Sequence, residues 1–155
     1  MSNDIFSRRE FCAHAGQAFT LVSIATLLHG CGGSSTSPSD APQLATITGS
    51  IVGGAINLTI DSSSPLNAVG GAALVQASGQ NFLVSQTAAG SFTALTAVCT
   101  HEACTVTGFQ SSQYVCPCHG SRYSTTGAVV QGPAAQSLRS FATKFANNVL
   151  TITVA

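Results

Sequence analysis

The chain has 155 residues, 45% of them apolar and only 6% charged, with five basic side chains against five acidic ones. That length supports one small hydrophobic core and little more, and the balanced charge leaves no basic patch for a nucleic acid. So little charge also means weak long-range steering of partners.

At the N-terminus, Ser7-Arg8-Arg9-Glu10-Phe11 precedes a weakly apolar stretch from Ala13 to Leu28. The five residues resemble the twin-arginine export signal, S-R-R-x-F, with Arg8 and Arg9 as the arginine pair. An ordinary secretory leader can carry the same dipeptide. The stretch contains His14 and Gln17 and is short against the roughly 20 apolar residues of a membrane-spanning helix. Leu28-His29-Gly30-Cys31 resembles a lipobox, which implies lipidation of Cys31, although His29 replaces the usual small residue. An ordinary cleavage site and an uncleaved signal anchor are the alternatives. Residues 1–31 are thus expected to be an export signal. Residues 32–43, rich in Gly, Ser and Pro, are expected to be a flexible linker.

From residue 44 the chain is predicted to be all-β. Val, Ile, Thr and Phe dominate Ala45–Ile51, Ile56–Ile60, Ala73–Ala77, Asn81–Ser85 and Phe92–Val98, then Ala128–Val130, Phe141–Phe145 and Val149–Val154. Gly53-Gly54, Gly70-Gly71 and Asn147-Asn148 punctuate these runs as hairpin turns require, the last predicting a terminal hairpin. No sustained helical period appears.

The densest chemistry lies at Cys99-Thr100-His101 and, after residues 102–115, at Cys116-Pro117-Cys118-His119. Each segment offers a sulfur and an imidazole at short spacing, and each carries a further cysteine, Cys104 or Cys118. Two cysteines and two histidines also suit tetrahedral zinc, so a structural zinc module is one reading. A zinc knuckle has no use for the additional cysteines or for the Gly120-Ser121-Arg122-Tyr123 tail.

Densely over residues 99–123, and more faintly over about 44–155, the chain resembles the Rieske family of [2Fe–2S] proteins. The resemblance implies a Rieske-type antiparallel β-sandwich or barrel base with an inserted two-loop cluster-binding subdomain, here about residues 99–127. It implies a [2Fe–2S] cluster with Cys99 and Cys116 on the inner iron and His101 and His119 on the outer one. Neutral imidazoles in place of two thiolates raise the reduction potential, to roughly −150 to +300 mV against about −400 mV for plant-type ferredoxins. Cys104 and Cys118 resemble the disulfide pair of the respiratory branch, which needs an oxidising compartment. Ser121 and Tyr123 resemble the hydroxyl donors that raise the potential in that branch. Gly132-Pro133-Ala134-Ala135 resembles the proline loop over the cluster, with Ala135 replacing a second proline and leaving the loop freer. A cluster inserted before export fits the twin-arginine route, which carries folded proteins. The expected location is therefore the periplasm or the outer face of a membrane, held by a lipid anchor or an uncleaved signal.

These features predict one-electron transfer by a high-potential cluster, in a tethered periplasmic carrier or a Rieske subunit of a respiratory oxidoreductase. Its partners would be redox proteins, a cytochrome or an oxidoreductase subunit. The quinol-oxidising subunit of a cytochrome bc complex and the small subunit of an arsenite oxidase-like molybdoenzyme are the alternatives. Glu102 weighs against quinol as the direct partner. It stands where bc-type proteins usually carry an apolar residue, and a carboxylate entering an apolar pocket must be desolvated, paired or protonated. No nucleophile–base constellation lies outside the motif, so no independent catalytic site is expected.

Overall fold

The computed structural model describes residues 41–154. The Arg8-Arg9 motif, Cys31 and linker residues 32–40 lie outside the described residues. The described residues form twelve strands and no helix, so no helix among them is long and apolar enough to cross a membrane. In chain order the strands are β1 (Ala45–Gly49), β2 (Ile51–Val52), β3 (Ala55–Thr59), β4 (Ala72–Ala77), β5 (Gln80–Ala88) and β6 (Ser91–Thr96). Then come β7 (Gly108–Gln110), β8 (Gln113–Val115), β9 (Arg122–Ser124), β10 (Val129–Gln131), β11 (Ser140–Ala146) and β12 (Val149–Thr153).

Eight strands form one sheet in the order β1-β4-β5-β6-β11-β12-β3-β2. Its two edge strands, β1 and β2, are separated in the chain by Ser50 alone. The sheet must therefore curl until its edges approach, and the Ile51 amide donates to Ser78 Oγ at 3.1 Å across the gap. The result is the nearly closed barrel that the sequence predicts. β1 and β4 are parallel, and the other pairs are antiparallel.

Strand alternation sorts side chains into two cores. Ile56, Leu58, Val75, Phe82, Val84, Phe92, Leu150 and Ile152 fill the barrel. Leu74, Leu83 and Leu95, on the opposite faces of β4, β5 and β6, join a second core with Val106, Tyr114, Tyr123, Cys99 and Cys116. A strand buried on both sides has no polar face, which explains the unbroken apolar runs in this part of the sequence.

The smaller sheet has the order β10-β9-β8-β7 and is inserted between β6 and β11. Those two strands pair at Leu95↔Ser140 and Ala94↔Phe141, and the Thr96 amide donates to the Arg139 carbonyl at 2.8 Å, pinching the insertion at its root. The insertion covers residues 97–139. It runs past the expected end at 127 because β10 and the proline loop belong to it. Along its outer edge the Phe109 amide donates to Pro42 O and the Leu44 amide to Thr107 O, both at 2.8 Å. Ala41 is buried beside Gly108, where a Cβ would lie 3.0 Å from the alanine methyl. Ala41, inside the segment expected to be linker, is therefore packed.

Gly53-Gly54 and Asn147-Asn148 turn as predicted, each pair with positive φ at both residues, which matches the twist of the flanking strands. Gly70-Gly71 does not form a hairpin, because β3 and β4 are not neighbours. Gly71 is instead a point of close approach, where a Cβ would collide with the Pro65 carbonyl oxygen. The β7–β8 hairpin turns at Ser111-Ser112, with φ of 52° and 58°, and carries no sequence signal of that turn.

Leu83 is fully buried on the face that supports the insertion. Leu83→Ala is expected to lower stability by about 2–5 kcal/mol, and Leu83→Met by less than about 1.5 kcal/mol, both read from equilibrium urea unfolding.

Candidate metal centre

The two cysteine–histidine segments fold into loops of the same backbone design. In the first, the Ala103 amide donates to Cys99 O at 2.9 Å and the Cys99 amide to Cys104 O at 2.8 Å. In the second, the Gly120 amide donates to Cys116 O at 3.1 Å and the Cys116 amide to Ser121 O at 2.9 Å. In both, the residue four after the leading cysteine has positive φ, 55° at Ala103 and 75° at Gly120. This winding aims the amides two and three residues on at the sulfur: His101 and Glu102 toward Cys99, Cys118 and His119 toward Cys116.

Cys99 and Cys116 are both buried and unbridged, and their sulfurs are neighbours. Burial pushes the Cys99 thiol up, but the Tyr123 hydroxyl, the two amides and the Cys116 thiol outweigh it and hold the group below the ordinary thiol range. Burial pushes Cys116 above that range, with the Cys99 sulfur adding to the effect. Two adjacent buried sulfurs cannot both carry charge unless a cation lies between them.

Cys104 and Cys118 form a disulfide that ties one loop to the other. Cys116 Sγ lies within 4.8 Å of both bridged sulfurs, so the bridge sits directly beside the thiol pair. His101 and His119 lie at the outer end of the loops, with ring centroids 5.0 Å apart and planes nearly perpendicular. Their side chains are 28% and 47% exposed. His101 Nδ1 is buried without a hydrogen-bond partner. A ring nitrogen in that state is costly unless a ligand completes it. Glu102 stands between the rings, with Oε1 3.9 Å from His101 Nε2 and Oε2 3.6 Å from His119 Nδ1.

The Tyr123 hydroxyl lies 3.2 Å from Cys99 Sγ and 3.0 Å from Thr100 Oγ1, and accepts from the Thr100 amide at 3.1 Å. Thr100 Oγ1 donates its own proton to the Gln136 carbonyl at 2.6 Å. The tyrosine proton is thus left for the sulfur or for the threonine oxygen, and an anionic sulfur is the stronger acceptor. Burial, followed by the adjacent Cys99 sulfur, pushes the phenol above its ordinary range, so it stays protonated as a donor.

Ser121 is fully buried, and its Oγ accepts from the Ala134 amide at 3.0 Å. The proline loop is therefore fastened at Ala134 to the second cluster loop and at Gln136 to the first. Ala135, expected to loosen it, lies between two anchored residues. Gly132-Pro133 joins through a cis peptide. Thr100 and Gln136 had no place in the sequence reading. The threonine inside Cys99-Thr100-His101 was the available signal, but the carbonyl it reaches is visible only in three dimensions.

Two buried sulfurs that need a cation, and two imidazoles at the rim with one nitrogen unsatisfied, suit a mixed sulfur–nitrogen iron centre. The family model described as Rieske [2Fe-2S] domain matches residues 58–142. The chain belongs to that family, and its cofactor is a [2Fe–2S] cluster. A cytochrome b6-f complex iron-sulfur subunit of Chlorobaculum thiosulfatiphilum is 37% identical over 67 residues, covering 43% of this chain and 37% of the relative. Another, from a Cyanothece species, is 53% identical over 45 residues, covering 28% of this chain and 25% of the relative. The matched stretch thus spans little more than a third of these relatives at most. The crystal structure of the plasma membrane Rieske protein of Synechocystis PCC 6803 superposes with a TM-score of 0.52 at 28% identity, over 61% of this chain and 97% of that one. Naphthalene 1,2-dioxygenase, at 17% identity and a TM-score of 0.53 over 64% of this chain and 26% of that one, shares the fold.

Two substitutions test the loop design. Ala103→Gly keeps the left-handed conformation and relieves its steric cost to an L-residue, about 1–2 kcal/mol, against the greater backbone freedom a glycine loses on folding. A net gain of about 0.5–1 kcal/mol in urea unfolding is expected. Replacing Cys104 and Cys118 together by Ala is expected to cost about 2–4 kcal/mol in the same measurement.

Proposed function

We propose that this chain is a high-potential one-electron carrier of the respiratory type. Cys99 and Cys116 hold the inner iron, and His101 and His119 hold the outer one. The bound group supplies a reversible one-electron step at a potential of roughly −150 to +300 mV. Around it, the chain buries the sulfur end, exposes the imidazole end, and clamps the loops with the Cys104–Cys118 disulfide and the proline loop. Electrons enter and leave through the histidine edge, from and to redox protein partners.

The observation that carries the high-potential assignment is the Tyr123 hydroxyl 3.2 Å from Cys99 Sγ. A donor to a ligand sulfur favours the more negative, reduced state and raises the potential. The Ser121 proton, which its contact with Ala134 does not use, is available in the same sense. The disulfide supports an oxidising compartment. With the Arg8-Arg9 motif and Cys31, it supports twin-arginine export and lipid anchoring at the outer face of a membrane.

A second reading places the chain in a quinol-oxidising complex, favoured by the relatives named as cytochrome b6-f iron-sulfur subunits. The exposed Glu102 carboxylate between the two histidines weighs against it.

The test is iron analysis and EPR of the dithionite-reduced protein, followed by a redox titration of wild type and Tyr123→Phe. About two irons per chain and a reduced-cluster signal are expected. Tyr123→Phe should lower the midpoint by roughly 45 mV, the equivalent of one hydrogen bond of about 1 kcal/mol acting on one electron. Zinc in place of iron, or a midpoint that Tyr123→Phe leaves unmoved, overturns the proposal.

A further inference from the structure

We infer that Glu102 is the docking contact for a partner protein that presents a lysine or arginine over the histidine tip. The inference rests on the electron-carrier reading and names the class of partner for the same site.

Charge is scarce in this domain, which makes its placement informative. The ionised side chains of residues 41–154 are Asp61, Glu102, Arg122, Arg139 and Lys144. Asp61 is already engaged, accepting from the Ser63 amide at 2.8 Å and the Ser63 hydroxyl at 2.6 Å. Arg139 lies over the Phe141 ring, 4.9 Å from its centroid. Glu102 has no such use. Its side chain is 60% exposed, no lysine or arginine among the described residues pairs with it, and both histidines stand beyond hydrogen-bond reach at 3.9 and 3.6 Å. Its lone pairs therefore remain open to an incoming donor.

Its position gives that opening a purpose. Glu102 occupies the space between the two exposed imidazoles, so any partner close enough to exchange an electron through them must cover it. An apolar pocket would leave the carboxylate desolvated and unpaired, a heavy penalty. An ammonium or guanidinium would answer it with a charge-assisted hydrogen bond. Ala103, next to Glu102 in the chain, is exposed, small and uncharged. The tip thus offers an exposed carboxylate between its two imidazoles, suited to a partner with a cationic rim around its own redox centre.

The experiment follows oxidation of the reduced, cluster-loaded protein by two probes, a strongly cationic c-type cytochrome and ferricyanide. Glu102→Gln should slow the cytochrome reaction about three- to tenfold at low ionic strength. The difference should close near about 0.5 M salt. Ferricyanide, being anionic, should react as fast or faster. Glu102→Lys should widen both differences, and Glu102→Asp should retain most of the wild-type rate with cytochrome. Carbodiimide coupling should join Glu102 to a cytochrome lysine, located by peptide mass spectrometry. An unchanged cytochrome rate, or coupling that avoids Glu102, overturns the inference. So does an equal fall with both oxidants accompanied by a shifted midpoint potential, which would mark an effect on the cluster. A wild-type protein that reduces neither probe overturns the carrier reading itself, an outcome visible before any variant is compared.

Discussion

Two neighbouring sulfurs buried away from water are the constraint from which the rest of this domain follows. Cys99 and Cys116 cannot both ionise in a dry pocket without a cation between them, and that cation cannot be held unless both loops keep their shape. The backbone answers with the same turn twice, each aiming two amides at its sulfur. The disulfide then fixes the separation of the loops, and the proline loop is fastened to each by a different hydrogen bond. Each restraint removes one motion that would let water reach the sulfurs or let them drift apart.

The barrel supplies the rigidity that these restraints need. β4, β5 and β6 present one face to the barrel interior and the other to the insertion, so Leu74, Leu83 and Leu95 form a floor under Tyr114, Tyr123 and the two cysteines. The insertion leaves and returns between paired strands, which holds its ends together. Tyr123 links the two levels, with its ring in the second core and its hydroxyl on Cys99. A site whose tuning depends on a distance of this kind belongs on strands with buried faces, since such positions move least.

How much of this was legible in the sequence depended on residue type more than on pattern. Cysteines and histidines at short fixed spacing announce their chemistry directly, so the four donors and the extra cysteine pair stood out. The longer barrel strands were legible because runs of Val, Ile, Thr and Phe between turn residues mark them, and Asn147-Asn148 because that pair tolerates positive φ. β7, β8 and β9 were missed because three residues show no alternation and, unlike β10 with Val129-Val130, none of them holds two adjacent β-branched residues. Their hairpin turns at two serines, residues with no special claim to that conformation. Ala103 hid the likeness of the two loops, since only Gly120 shows the residue type its backbone favours. Ser121 is identified by resemblance as a donor, and its oxygen also accepts from the Ala134 amide, a contact no residue type announces. The Thr100–Gln136 bond joins residues distant in sequence, and nothing in either residue type predicts the other.

The site is also graded from dry to wet along its length, and the wet end is the histidine edge. Cys99, Cys116 and Tyr123 lie in the second core and Ser121 is fully buried, where a fixed dipole acts through little intervening solvent. The imidazoles straddle the boundary, and Glu102 lies beyond it. A charge buried among the sulfurs would perturb the centre directly, whereas Glu102, 60% exposed, is screened by water until a partner removes that water. In the proposed carrier, tuning and recognition are separated along one short axis, the buried hydroxyls acting on the centre and the exposed carboxylate on the partner. Among the described residues, Glu102 is the exposed carboxylate that stands at the histidine edge.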